Sequence, residues 1–550
     1  MAPRSNTALL DIRLAVGVRM SLAARLTVVA LVFFVEKVIL NFFVNYDGPE
    51  STTRLGTIVN GAQLLGLRFA VSFVASVALF SYVSGSERLA QINAATRGVT
   101  VRLPWLTMHV ALVAALTPLL WFLDGDRGSI LPLWIRAVLL AVLGVAVALT
   151  LFTAMAPWTL WLQAAKALGS FVRYALIVAL IATCVLFWSQ ELWAPTARVT
   201  FELVRHLLAP IIPSLHSDPI TRVLSTEHFA VEVSDICSGL EGAGLMLAFC
   251  CAWLVCFRRE YIFPQALILI PCGLLLIFAL NVLRIAVLVL IGDSGHPEVA
   301  RYGFHSQAGW IAFNIAACGI AVASRRIGWL NRMAATSDAA NTDNPTAAYL
   351  LPLLAILAAG ILARALSGGF DAWDSLRLVA GAVTLLVWWP KSKMLSWRFS
   401  WRGPLAGILA FALWILSGKV FLPHSTMPAT LIAAPDWARY GWIAARVATS
   451  VLVVPIAEEL AYRGYLLRRI VAADFEAVSF RAVGAWPLLL SSVAFGLAHG
   501  SMWLPGIAAG VIYGAVLIRT QRIGEAVVAH ATTNGLLAAY VLFLNQWQLW

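Results

Sequence analysis

Charge is scarce in this chain. Of its 550 residues only 12% are Asp, Glu, Lys or Arg, against 61% hydrophobic residues and a mean hydropathy of +0.84. That balance argues against a soluble globular enzyme, whose whole chain carries about twice that share of charge. Cysteine is scarce too. There are seven, at 184, 237, 250, 251, 256, 272 and 318, and all but Cys237 lie within apolar runs, where a thiol is ordinarily a packing residue. This pattern argues against a disulfide framework or a CxxC metal site. His-Glu-x-x-His is absent, which disfavours a zinc protease of that type. No internal repeat of the inverted-repeat transporter kind is visible. The N-terminus, with Arg4, Arg13, Arg19 and Arg25, leads into a long apolar stretch without a small-residue cleavage site, and reads as an uncleaved first span.

What is present is a series of apolar runs approaching the roughly 20 residues that cross a bilayer as a helix. The expected fold is therefore an all-α polytopic integral membrane protein with about 15 transmembrane helices in two helical-bundle domains. Spans are expected near 26–44, 62–84, 105–123, 131–153, 171–190, 239–257, 262–291 and 308–323, then near 348–366, 375–389, 404–421, 441–462, 486–505, 506–518 and 525–545. Residues 327–346 are polar and rich in helix breakers, so the domains are drawn as 1–326 and 347–550 with 327–346 as a cytoplasmic linker. The net charge of +12 is topology information, because Arg and Lys cluster in short loops. With a cytoplasmic N-terminus, alternation puts the loops holding Arg88, Arg97 and Arg102, Lys166 and Arg173, Arg258 and Arg259, and Arg325 and Arg326 inside. The Glu36-Lys37 pair of the first span reads as a structural ion pair.

Two sets of reactive residues stand out. In the first half, Cys237 sits in Ser-Asp-Ile-Cys237-Ser-Gly239, where a polar loop gives way to the run Leu240 to Phe257. Arg284, in Asn281-Val-Leu-Arg284, lies inside an apolar span, where a central Arg costs roughly 2.5–3.5 kcal/mol on insertion scales and so suggests a role. His305, in Gly303-Phe-His305, precedes the next span. The topology count places all three towards the outer face. Together they can supply a nucleophile, an oxyanion partner and a proton carrier, with Glu241, one turn past Cys237, as a candidate partner for Arg284.

The second half carries Glu458-Glu459-Leu-Ala-Tyr-Arg463, Phe495-Gly-Leu-Ala-His499 and His530-Ala-Thr-Thr-Asn534. Glu459 and Arg463 are four apart and share a helix face, so the Arg can neutralise that carboxylate while Glu458 points elsewhere. At 1.5 Å per residue, Glu458, His499 and Asn534 lie about 15–20 Å from the inner ends of their helices, near mid-membrane. A carboxylate, two imidazoles and an amide can activate water, stabilise an oxyanion and protonate a leaving amine. The span at 486–505 is expected to run on through Gly500 and Pro505, so that the cavity opens to the cytoplasm and the two chemically independent sites face opposite sides. If the helix ends at His499, the mouth faces outward.

Both sets resemble known families. Residues 20–326 resemble the exosortases through Cys237-Ser-Gly239, Asn281-Val-Leu-Arg284 and His305 with Gly309. Residues 347–545 resemble the CPBP family of CAAX-type intramembrane proteases through Glu-Glu-x-x-x-Arg, Phe-x-x-x-His and His-x-x-x-Asn. The fused order is similar to the exosortase E/protease type, linked to substrates with a C-terminal Val-Pro-Glu-Ile-Asp signal. The resemblance implies a multi-pass enzyme of the bacterial inner membrane acting on exported proteins that end in a short signal, a transmembrane helix and a basic cluster. Cys237 would form a thioester, Arg284 would stabilise the oxyanion and His305 would shuttle protons, with transfer of the new carboxyl end to an acceptor. In the second domain Glu458 and His499 would activate water, and His530 and Asn534 would hold the oxyanion, supported by Glu459 and Arg463. No cofactor, metal or nucleic acid is implied. A polytopic transporter and a metal-dependent membrane protease using Glu458, His499 and His530 as ligands are the alternatives.

Overall fold

A computed structural model describes residues 99–123, 132–332, 344–392, 395–421 and 424–550, with isolated residues before position 99. The expected spans at 26–44 and 62–84, and most of the linker, therefore lie largely outside the described residues. The fold is all-α apart from short strands. Among the described residues six helices are long and apolar enough to cross a membrane, or seven if one bent pair counts as a single span, and six shorter apolar helices accompany them. This establishes a helical membrane protein without fixing the count at about fifteen.

Two compact units part at Leu192 and Trp193, so both motif sets fall in the second. The first unit contains α1 (Leu103–Leu123), α2 (Leu133–Met155), α3 (Trp158–Leu168) and α4 (Ser170–Trp188). The α2 and α3 axes meet at 82° across Ala156-Pro157, because the residue before a proline avoids the helical region and Pro157 caps the new helix. Glu36 pairs with the buried His109 at 2.5 Å; the Lys37 expected beside it lies outside the described residues.

The second unit opens with α5 (Trp193–Leu208), an amphipathic helix not foreseen as an element. Its buried Ala197, Phe201, Val204 and Leu208 follow helical spacing, while Arg198, Glu202 and Arg205 lie on the other side. That stripe packs on Val282, Ile285 and Val289 of α7 (Leu269–Asp293). A three-stranded antiparallel sheet follows, β1 (His216–Asp218), β2 (Val223–Ser225) and β3 (Ala230–Glu232), with Leu224 paired to both Ser217 and Val231. Helices α6 (Leu240–Cys256), α7 and α8 (His305–Arg326) share a core of Met246, Cys250, Ile277, Ala316 and Ile320.

Then come α9 (Pro345–Ala365), α10 (Ser375–Ser392), α11 (Arg402–Phe421), and α12, continuous over Asp436–Arg469. The last three are α13 (Ala485–Leu497), α14 (Trp503–Thr520) and α15 (Ile523–Leu544). Helix α12 contains two π-helical turns, Thr449–Val453 and Leu460–Leu466. The first immediately precedes Val454-Pro455, where the proline cannot donate to the regular ladder, so one extra residue is taken into the turn.

Candidate active sites

The Cys237 site begins with a local conformation that only this sequence supplies. Cys237 lies in a 3₁₀ turn, Asp235–Ser238, closed by Gly239 at φ 89°. A Cβ at position 239 would be strained by that φ and would stand 2.8 Å from the Asn281 amide, so glycine lets α7 approach the turn. The turn is clamped from three directions. Arg222 pairs with Asp235 at 2.6 Å, Thr200 of α5 donates to the Ser238 carbonyl at 3.1 Å, and Asn281 Nδ2 donates to the Cys237 carbonyl at 3.0 Å.

Arg284 is one turn along α7 from Asn281. It donates to Asn281 Oδ1 at 3.4 Å and to the His305 carbonyl at 3.1 Å, and its Nε is buried without a partner. Two adjoining cavities meet here. One, about 280 Å³, is lined by Cys237, Ser234, Arg301 and His305; the other, about 200 Å³, by Glu241, Asn281, Arg284 and His305. His305 belongs to both. Cys237 and Arg284 thus line two different cavities, with His305 common to both. Glu241 shares the cavity with Arg284, but no ion pair forms between them among the described residues. Ser234, whose hydroxyl lies 3.6 Å from the Cys237 sulfur, was missed; a hydroxyl three residues before the thiol in the same turn was the available signal.

In the second set, Glu459 and Arg463 are fully buried and paired at 3.1 Å, so the four-residue spacing was read correctly. Glu459 also holds His530 Nδ1 at 3.1 Å. Since an ionised carboxylate only accepts, Nδ1 carries the proton and Nε2 faces the Oε2 of Glu458, 3.9 Å away. That Oε2 is buried with no hydrogen-bond partner in the protein. His499 Nδ1 donates to the Phe495 carbonyl at 2.8 Å, which leaves its Nε2 free, and Asn534 Nδ2 donates to the Ser450 carbonyl at 2.7 Å. His499, His530 and Asn534 line a cavity of about 170 Å³ with Tyr513, Trp414 and Trp550. Tyr513 stacks on His530 at 5.1 Å and hydrogen-bonds Thr533, fixing the imidazole plane; this aromatic neighbour was not singled out from sequence. Among the described residues no three His, Cys, Asp or Glu side chains are grouped so as to hold a metal ion.

The expected span through Gly500 and Pro505 is corrected. Helix α13 stops at Leu497, Gly500 takes φ +58°, and α14 starts at Trp503 with Pro505 in its first turn, where no N–H partner is needed. The chain reverses: the far end of α14 returns to the residues before α13, where Gln521 accepts from the Arg481 amide at 3.0 Å. His499 is therefore at the tip of a helical hairpin.

The loop 366–374 neighbours both sites. On one side it meets the turn before His305, where a Cβ on Gly303 would stand 2.1 Å from the Ser367 carbonyl. On the other it meets the second cavity, since Trp442 donates to the Asp371 carbonyl at 2.9 Å and Arg446, which lines that cavity, pairs with Asp374 at 2.8 Å. Both sites thus lie towards the same end of the second unit.

Comparison with known proteins agrees with both halves. Residues 62–322 match the family model of the transmembrane exosortases (Exosortase_EpsH), and residues 440–536 match that of the type II CAAX prenyl endopeptidases, Rce1-like. No curated protein and no solved structure matches the chain.

Proposed function

From a chain in which an exosortase-family segment is followed by an Rce1-like CAAX-protease-family segment, we propose a membrane protease with two separate active sites, divided functionally at 327–346. The two family matches support a protease-type function, and the apolar helices make the protein multi-pass. The observation that carries the first assignment is that His305 lines both the cavity reached by Cys237 and the one holding Arg284.

In the first reaction the Cys237 thiolate attacks the scissile carbonyl. A C–S bond forms, the carbonyl electron pair moves to oxygen, and Arg284 receives that negative charge. Collapse breaks the C–N bond, and the leaving amine takes its proton by way of His305. The thioester then passes its acyl group to an acceptor amine or hydroxyl, or to water. Asn281 positions this machinery, because one amide holds both the Cys237 carbonyl and the Arg284 guanidinium. The substrates of this reading are exported proteins with a C-terminal sorting tail, consistent with what the exosortase family acts on.

In the second, Glu458 takes a proton from water as the oxygen attacks a peptide carbonyl, and later gives it to the leaving amine. His499, with Nε2 free, helps orient that water. Asn534, with its second amide hydrogen, donates to the developing oxyanion, which His530 joins only as an imidazolium carrying a proton on Nε2 as well as on Nδ1, and Glu459, neutralised by Arg463, keeps His530 in place. Because one loop neighbours both sites, we place both on the non-cytoplasmic side of a bacterial inner membrane, with the N-terminus inside.

The test is mass spectrometry of a tailed client from cells carrying the natural chain, Cys237→Ser or Glu458→Gln. Tail removal is expected to persist with Glu458→Gln and to vanish with Cys237→Ser. Normal processing by Cys237→Ser would end the thioester reading.

A further inference from the structure

The mechanism above makes no use of Arg446. It lies on α12 and is the only permanently charged residue among the described residues lining the second cavity, whose other walls include Trp414, Leu537 and Trp550. Asp374 holds Arg446 Nη1, and the same Asp374 oxygen also pairs with Arg377, which reaches Asp371 at 2.7 Å. Two guanidinium groups thus share two carboxylates beside an apolar cavity. Arg446 Nε is buried and has no hydrogen-bond partner. An unpaired buried guanidinium N–H is costly, and its planar fork is suited to a carboxylate. The cluster also lies at the end of the helices opposite Arg258, Arg325 and Arg326, where the positive-inside rule disfavours surplus Arg.

We propose that Arg446 is the specificity-determining residue of the second site and receives a carboxylate of the peptide substrate. This rests on the peptidase reading of that site. The carboxylate comes either from the free C-terminus of the peptide or from an Asp or Glu side chain near the scissile bond.

The experiment uses the purified full-length protein in detergent and three quenched-fluorescent peptides of one apolar sequence: C-terminal acid, C-terminal amide, and amide with one internal Asp. Cleavage gives kcat/KM, and binding of the same peptides to Glu458→Gln reads affinity without turnover. A carboxylate peptide is expected to be favoured over the plain amide by about 10- to 100-fold, the span of a charge-assisted hydrogen bond. Whether the acid or the Asp peptide is favoured identifies the source. The ratio is expected to fall near one in Arg446→Gln and to be partly kept in Arg446→Lys; being a ratio, it is insensitive to the amount of folded protein. The Glu458→Gln/Arg446→Gln protein should lose the same ratio in binding. Equal handling of all three peptides by the natural chain, or an unchanged ratio in Arg446→Gln, overturns the proposal. Cleavage without preference would refute Arg446 while leaving the peptidase reading intact. Binding preference without cleavage by the natural chain would do the reverse.

Discussion

Replacing either member of the Glu459–Arg463 pair should destabilise the second unit far more than replacing both. Glu459 has no exposed surface and Arg463 has 1% exposed. The guanidinium pairs with Glu459 at 3.1 Å, donates to the Gly510 carbonyl at 3.2 Å and lies 4.2 Å from the centre of the Phe495 ring. Removing one partner of such a buried pair strands the other charge, at a cost of about 3–5 kcal/mol, or more than about 100-fold in the folding equilibrium. Arg463→Met keeps most of the side-chain volume and Glu459→Gln keeps its shape, so packing changes little. The double variant buries no unpaired charge from this pair and should lose only about 1–2 kcal/mol, mainly the Gly510 hydrogen bond and the contact with Phe495. The coupling energy from the double-mutant cycle, the two single costs together less that of the double, is then about 4–9 kcal/mol in magnitude. It can be read by reversible unfolding in mixed micelles, titrating denaturing detergent and following tryptophan fluorescence. A coupling below about 0.5 kcal/mol, the level of independent sites, would refute the argument that the two charges support each other.

Arg284→Ala should abolish tail removal while leaving the protein in the membrane, read by client mass spectrometry beside a membrane-fraction blot; retained cleavage would separate Arg284 from the oxyanion. Cys237, half-buried at a cavity mouth, should react with a membrane-impermeant thiol reagent added to the non-cytoplasmic side of spheroplasts, and labelling only from the cytoplasmic side would overturn the topology. Cleavage by the second site should survive strong chelator in a reconstituted assay, whereas loss restored by added metal would favour the metal-dependent alternative. Asn281→Ala should depress kcat for tail cleavage, with Asn281→Asp failing to rescue it, since a carboxylate cannot donate to the Cys237 carbonyl.

Much of this protein was legible without coordinates. Low charge and long apolar runs determine a helical membrane protein, because backbone polar groups in hydrocarbon must be satisfied within the segment itself. The Glu459–Arg463 pairing followed from four-residue spacing alone, since a helix places such residues on one face. Helix α5 was hidden by its low hydrophobicity, although its buried stripe has helical period. The turn at His499 could have been read from Gly500 and Pro505, but a glycine and a proline in a long apolar run fit a tolerated irregularity as well as a reversal. Only packing decides between them, here through the return of Gln521 to Arg481. The aromatic seating of His530 by Tyr513, the position of Arg446 in the cavity wall and the shared end of the two sites depend on contacts between segments far apart in the chain. Local spacing carries no record of such contacts, so sequence determined the reactive groups and the tertiary structure determined which way they face.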